Sequence, residues 1–193
     1  MSEFWLYVTV GLKHVLDIDG YDHVLFLIAL TVPFGFKEWK RVLWLVTIFT
    51  IGHTLSLMLS VFELVKVKAS LVEFLIPITI LITALYHLFT AGKKQLKSLS
   101  IVSGITLFFG LIHGLGFSNY FKSILPGSPS EKVIPLLQFA LGIELAQIIV
   151  VLIVMILAYV MQLIFRFSQR DWTLVATAFV IGVLVPMLME SEL

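Results

Sequence analysis

The sequence predicts an all-α fold. It reads as a polytopic transmembrane helical bundle of about six spans plus a short N-terminal interfacial or re-entrant segment, all one integral membrane domain, 1–193. Three observations predict it. Hydrophobic residues make up 60% of the chain and charged residues only 13%, against the ~25% charged typical of soluble domains. Mean hydropathy is +1.07. Apolar runs long enough to cross a ~30 Å hydrocarbon core alternate with short basic turns.

The elements follow in order. Residues 4–12 (FWLYVTVGL) are apolar but lack the basic n-region and small-residue cleavage site of a signal peptide, so they read as mature chain leading into His14. The first span covers about 21–36 and is short unless residues 4–20 help complete it. The second runs 41–62, the third 71–91, the fourth 99–118, the fifth 134–165 and the sixth 172–189. Lys37, Lys40 and Arg41 close the first span, Lys66 and Lys68 follow the second, and Lys93, Lys94 and Lys97 follow the third. Pro126-Gly127-Ser128-Pro129-Ser130 marks a turn in the fourth loop. Arg166 and Arg170 separate the last two spans. Pro77 is expected to kink the third span, with Thr79 and Thr83 satisfying freed carbonyls. Gly110 and Gly114 form a GxxxG on the fourth, where close helix approach would bring His113 near its neighbours.

Charge gives an orientation. Loops one, three and five carry eight Lys/Arg, and the opposite side carries Lys13, Lys66, Lys68, Lys122 and Lys132. The positive-inside rule therefore places both termini outside the cytoplasm, an arrangement with which the acidic tail around Glu190 and Glu192 agrees. The lysines and arginines fall in turns rather than in a basic stripe, and no Gly-rich phosphate loop follows a strand, so nucleic acid is not an expected partner. The lipid bilayer is. Cysteine is absent, which leaves nitrogen and oxygen to hold any metal.

Function should lie with the polar groups inside the apolar runs. An ionisable side chain at membrane depth costs roughly 2.5–3.5 kcal/mol, and its default position faces the protein interior. His14, Asp17, Asp19, Asp22 and His23 surround Gly20, which is expected to interrupt the helix and let the His14 segment fold back. On a helix, Asp19 would share a face with Asp22 and His23, and His14 with Asp17. His53 stands beside Thr50, Thr54 and Ser56, and His113 stands among glycines. Glu144 is the one carboxylate deep in the fifth span, with Gln147 one turn on. Imidazole with carboxylate suits nickel, zinc, cobalt, iron or manganese, while the same groups would also serve a proton relay. Plainer roles compete: Asp17 and Asp19 as a solvated helix entrance, His53 and His113 as interhelical hydrogen-bond partners, neutral Glu144 as a lone structural hydrogen bond, His87 as an interfacial side chain near Lys93.

GLKHVLDIDGYDHVLFLIAL, FTIGHTLSL, FGLIHGLGF and FALGIELAQ resemble the signature stretches of the HupE/UreJ family, specifically its second branch, over most of residues 11–152. The resemblance implies a permease of the bacterial inner membrane for nickel, or for cobalt or another divalent ion, supplying hydrogenase or urease maturation. It also implies that His14, Asp22, His23, His53, His113 and Glu144 bind or conduct the metal; Asp17, Asp19 and Gln147, polar residues beside them, are expected in support. Seven residues separate His14 from Asp22-His23 here, where the nickel-permease branch has five, so its ligand geometry does not transfer unchanged.

Three functions remain open on these residues. The first is a divalent transition-metal transporter whose nickel, zinc or cobalt ion is the cargo. The second is an intramembrane zinc-type metalloenzyme, a hydrolase in which three protein ligands leave one metal position open. The third is a proton-coupled or structural membrane component without metal.

Overall fold

The computed structural model describes residues 3–18, 20–93, 99–124 and 129–190. Among the sequence features singled out above, Asp19, Lys94, Lys97, Pro126, Gly127, Ser128 and Glu192 lie outside the described residues. The described elements are helical: α1 (Glu3–Val15), α2 (Asp22–Thr31), α3 (Trp39–Val61), α4 (Ala69–Thr90), α5 (Leu99–Gly116), α6 (Ser118–Ile124), α7 (Val133–Ile164) and α8 (Gln169–Glu190), with 3-10 turns at Phe36–Glu38 and Pro129–Lys132.

Five of these helices, α3 with its leading 3-10 turn, α4, α5, α7 and α8, are long and apolar enough to cross a membrane. They match the second to sixth expected spans within a few residues at each end. The first expected span is different. Its helical part is only ten residues, Asp22–Thr31, about 15 Å at 1.5 Å per residue. The break at Gly20 explains this, because the chain turns there and divides its N-terminal apolar stretch into two short helices. The protein is thus an integral membrane bundle whose N-terminal apolar stretch is split between two short helices. The helix on which His14 and Asp17 are expected to share a face ends at Val15, and Asp17 is exposed beyond it.

Two helix pairs are drawn together by glycine. On α1, a Cβ at Gly11 would run into the backbone of Phe139 on α7, and one at Gly142 would run into Val8 and Leu12 of α1. On α3 and α5, Gly52 meets Leu107 and Gly110, while Gly110 and Gly114 meet the backbone at Phe49 and His53. Small residues allow this approach, and in lipid, where apolar burial drives little association, close packing supplies the adhesion. α4 lies across α2 and packs on α5 and α8. Its Pro77 is accommodated within the helix, and Thr79 and Thr83 donate to the carbonyls of Ile76 and Thr79.

α2 is the centre of the bundle. It contacts α3, α4, α7 and α8, and Leu25, Phe26, Leu27, Ala29 and Leu30 are all buried. A helix buried on every side has no polar face to orient it. Its position is set instead by its ends. Asp22 and His23 sit at the N-terminus, and at the other end Gln169 and Thr173 of α8 donate to the carbonyl of Val32 at 2.8 and 3.3 Å.

Candidate metal centre

His14 ends α1, His23 begins α2, His53 lies in the C-terminal half of α3 and His113 in the last turn of α5. The two glycine crossings and the break between α1 and α2 bring them together. The ring centroid of His23 is 4.6 Å from that of His14, 5.5 Å from His53 and 5.3 Å from His113, and His14 and His53 are 5.7 Å apart. One ring nitrogen from each of His14, His23 and His53 lies within 4.8 Å of the others. His23, His53 and His113 are 2%, 0% and 1% exposed, which takes them out of water altogether.

Their hydrogen bonds leave nitrogens pointing inward. The His23 ring donates from Nδ1 to Asp22 Oδ1 at 3.0 Å, and the same oxygen accepts the His23 backbone N–H at 2.8 Å. The His113 ring donates from Nδ1 to the carbonyl of Phe109 at 2.9 Å. Each bond fixes a tautomer in which Nε2 keeps its lone pair. Among the described residues, Nε2 of His14, His23 and His113 and both ring nitrogens of His53 are buried with no hydrogen-bond partner. Buried polar atoms are nearly always paired, and leaving one unpaired costs roughly 1–3 kcal/mol. Convergent unpaired imidazole nitrogens, with the His23 ring oriented by a carboxylate and the His113 ring by a carbonyl, are donors that would suit a transition metal. Asp22 orients His23 through Oδ1.

Aromatic rings enclose the cluster. Phe117 and Phe139 stack with centroids 5.1 Å apart, and the His14 ring lies 3.8 Å from Phe117. Phe26 and Phe49 stack at 4.6 Å, with His113 at 5.4 and 5.1 Å from them. One side stays open. A cavity of about 360 Å³ reaches the cluster between α1, α4 and α5, and His14, His23 and His113 line its inner end, with Asp17, Asp22 and Glu73 also on its walls. Carboxylates around a mouth with low-dielectric walls concentrate cations. Glu73 is a residue that sequence reasoning missed. Its signal was there: a single acid within Ser-Leu-Val-Glu-Phe-Leu-Ile, otherwise apolar after its first residue.

Glu144 lies elsewhere, in the α3–α7 seam. Thr47 donates to its Oε1 at 2.6 Å and Thr50 donates to its Oε2. Thr50 also lies 3.0 Å from Gln147 Oε1, and Gln147 is fully buried with Nε2 unpartnered. One hydroxyl hydrogen serves one acceptor, so with Thr50 donating to Glu144 the Gln147 amide fits with Nε2 turned to donate to the Thr50 oxygen. Thr50 is one turn before His53, so this polar seam starts beneath the histidines and runs along α3 toward its basic N-terminal end. Glu144 does not share the three-histidine group. Thr47 and Thr50 are the residues that join it to that group's helix. His87 stands apart too, buried near the opposite, basic end of α4.

No curated protein and no solved structure matches the chain. A family model described as HupE / UreJ protein matches residues 1–191. With four helices contributing to one histidine cluster, and the match running through essentially the whole chain, the protein belongs to the HupE/UreJ family.

Proposed function

We propose that this protein is a divalent transition-metal permease, with nickel the foremost cargo and cobalt or zinc chemically admissible. The observation that carries the reading is the convergence of His14, His23 and His53, whose ligand nitrogens lie within 4.8 Å of one another, with His14 and His23 also lining an acid-bearing cavity. Asp17, Asp22 and Glu73 gather cations at the mouth. His14, His23 and His53 take the ion, with Asp22 holding His23 in the ligating tautomer and His113 offering a fourth nitrogen beside His23. Nitrogen donors favour nickel, cobalt and zinc over calcium or magnesium. Glu144, with Gln147 in support, is the next station, reached through Thr50. The charge bias of the loops supports a cavity opening on the extracytoplasmic face of the inner membrane, with both termini on that side.

The test is metal accumulation in cells expressing His23→Ala or wild type at equal membrane abundance. Accumulation of nickel, cobalt and zinc at background level in the variant is expected. Wild-type accumulation in the variant would remove the histidine cluster from the path.

A second reading has its own observation. Three imidazoles facing an open cavity, one of them hydrogen-bonded to a carboxylate, also match a hydrolytic zinc centre, where three ligands leave a position for water. The two readings separate on exchange. A carrier must release its ion, so purified protein should lose metal on brief dialysis. Near-stoichiometric zinc that survives dialysis would favour the enzyme.

A further inference from the structure

At the end of the bundle opposite the histidine cavity, two adjoining voids have no place in metal transfer. The first, of about 280 Å³, lies between the end of α4 and the start of α8. Its walls carry Lys93 and Arg170 together with Thr90, Gln169 and Thr173, and no carboxylate is among its lining residues. The second, of about 130 Å³, is an apolar crevice between α4 and α5, floored by Phe26, Leu30 and Phe34 of the α2 segment and bordered by Ile82 and Ile105. His87 lines both, and the consecutive residues Pro33 and Phe34 line one each. A basic pocket at a helix end thus opens beside an apolar slot that runs into the membrane.

Arg170 is held at this pocket by the backbone. Gly92 turns with φ +79°, and a Cβ there would come 2.8 Å from Arg170 Cδ. The guanidinium stem lies where any other residue's side chain would begin. Gln169 is anchored as well, donating to the Val32 carbonyl and accepting from Gln162 at 2.7 Å. Two cations without a facing carboxylate repel a divalent metal, so the pocket is not the exit for the cargo. They attract an anion.

We infer that the Lys93–Arg170 pocket and the adjoining α4–α5 crevice form a binding site for an anionic glycerophospholipid. The phosphate sits between Lys93 and Arg170, and an acyl chain lies in the crevice. Basic pockets between transmembrane helices on the positively charged side are where anionic head groups dock. The crevice selects for a lipid over a free anion, because inorganic phosphate would leave it empty. An occupied crevice would tie α4 and α5 to α2, the helix whose N-terminus carries His23. The inference stands whether or not the metal-transport reading does.

The experiment measures binding of phosphatidylglycerol, phosphatidylcholine and inorganic phosphate to purified, delipidated protein by native mass spectrometry and thermal shift. Wild type is expected to retain and be stabilised by phosphatidylglycerol, with little response to phosphatidylcholine or phosphate. The Lys93→Gln/Arg170→Gln double variant should bind phosphatidylglycerol about thirtyfold more weakly, the effect of two interfacial cations. Arg170→Lys should retain most of the binding. Equal binding of phosphatidylcholine and phosphatidylglycerol would overturn the inference, as would equal stabilisation by inorganic phosphate. Unchanged lipid affinity in the correctly folded double variant would overturn it too, and circular dichroism of both variants establishes that folding.

Discussion

The α3–α7 seam and the α4–α8 pair use threonine in opposite ways. In α4, the hydroxyls of Thr79, Thr83 and Thr90 donate to carbonyls three or four residues back in their own helix. In α8, Thr177 does the same toward Thr173. These hydroxyls are satisfied locally and leave no polar demand on a neighbour. In α3, Thr47 and Thr50 instead reach across to Glu144 and Gln147 of α7. The residue type is the same, and the partner decides its meaning. A threonine in lipid is unremarkable until an acid faces it, and then the pair defines a polar station.

Glycine sharpens the contrast. The histidine-bearing α3 and α5 meet through Gly52, Gly110 and Gly114, and α1 meets α7 through Gly11 and Gly142, each pressed against a neighbouring backbone, while Gly104 on α5 and Gly182 on α8 have nothing within 4 Å of where a Cβ would stand. Gly114→Ala or Gly142→Ala should therefore be the most damaging of the conservative changes, with overpacking of about 1–3 kcal/mol or more and loss of the histidine convergence. Gly104→Ala and Gly182→Ala should be neutral or stabilising by up to ~1 kcal/mol through helix propensity. Melting temperatures of the four variants in one detergent give the comparison. Similar values for all four would mean that the crossings do not hold the bundle.

Asp22→Asn comes next in size. Asn preserves the volume and still accepts from His23, but it loses the charge that favours the ligating tautomer. Outer-shell partners of metal-bound histidines are worth about 10–100-fold in affinity. Nickel titration of the purified variant should show a loss in that range, with the melting temperature of the metal-free protein nearly unchanged. An affinity equal to wild type would demote Asp22 to a helix-terminal residue.

The membrane class, five of the six spans and the polar residues of the centre were legible in the chain, because lipid leaves few reasons for His23, His53 or His113 inside an apolar run. Gly20 announced the break that separates His14 from His23. What composition and spacing did not carry was pairing between helices. Periodicity indicates which face a residue shares, but not which helix meets that face or at what depth. The chain alone does not show that Glu144, expected with the histidines among the residues that bind or conduct the metal, takes Thr47 and Thr50 of α3 as its hydrogen-bond partners. Nor does it show that Asp22 engages His23 through Oδ1. Glu73 passed unnoticed because an acid near a helix start is common; only the fold places it on the wall of the same cavity as His113.

The finest test of the two regions is Glu144→Gln. Gln keeps one oxygen to accept from Thr47 or Thr50 and replaces the other with an amide that donates. Exchanging a charged hydrogen bond for a neutral one costs about 1 kcal/mol, equivalent to roughly fivefold in an equilibrium or a rate. If Glu144 is a station beyond the histidines, nickel affinity at the His14–His23–His53 group should stay near wild type while uptake falls about fivefold. A parallel fall in affinity would move Glu144 back among the ligands. Unchanged uptake and affinity would make the α3–α7 seam a packing feature, as self-contained as the threonines of α4.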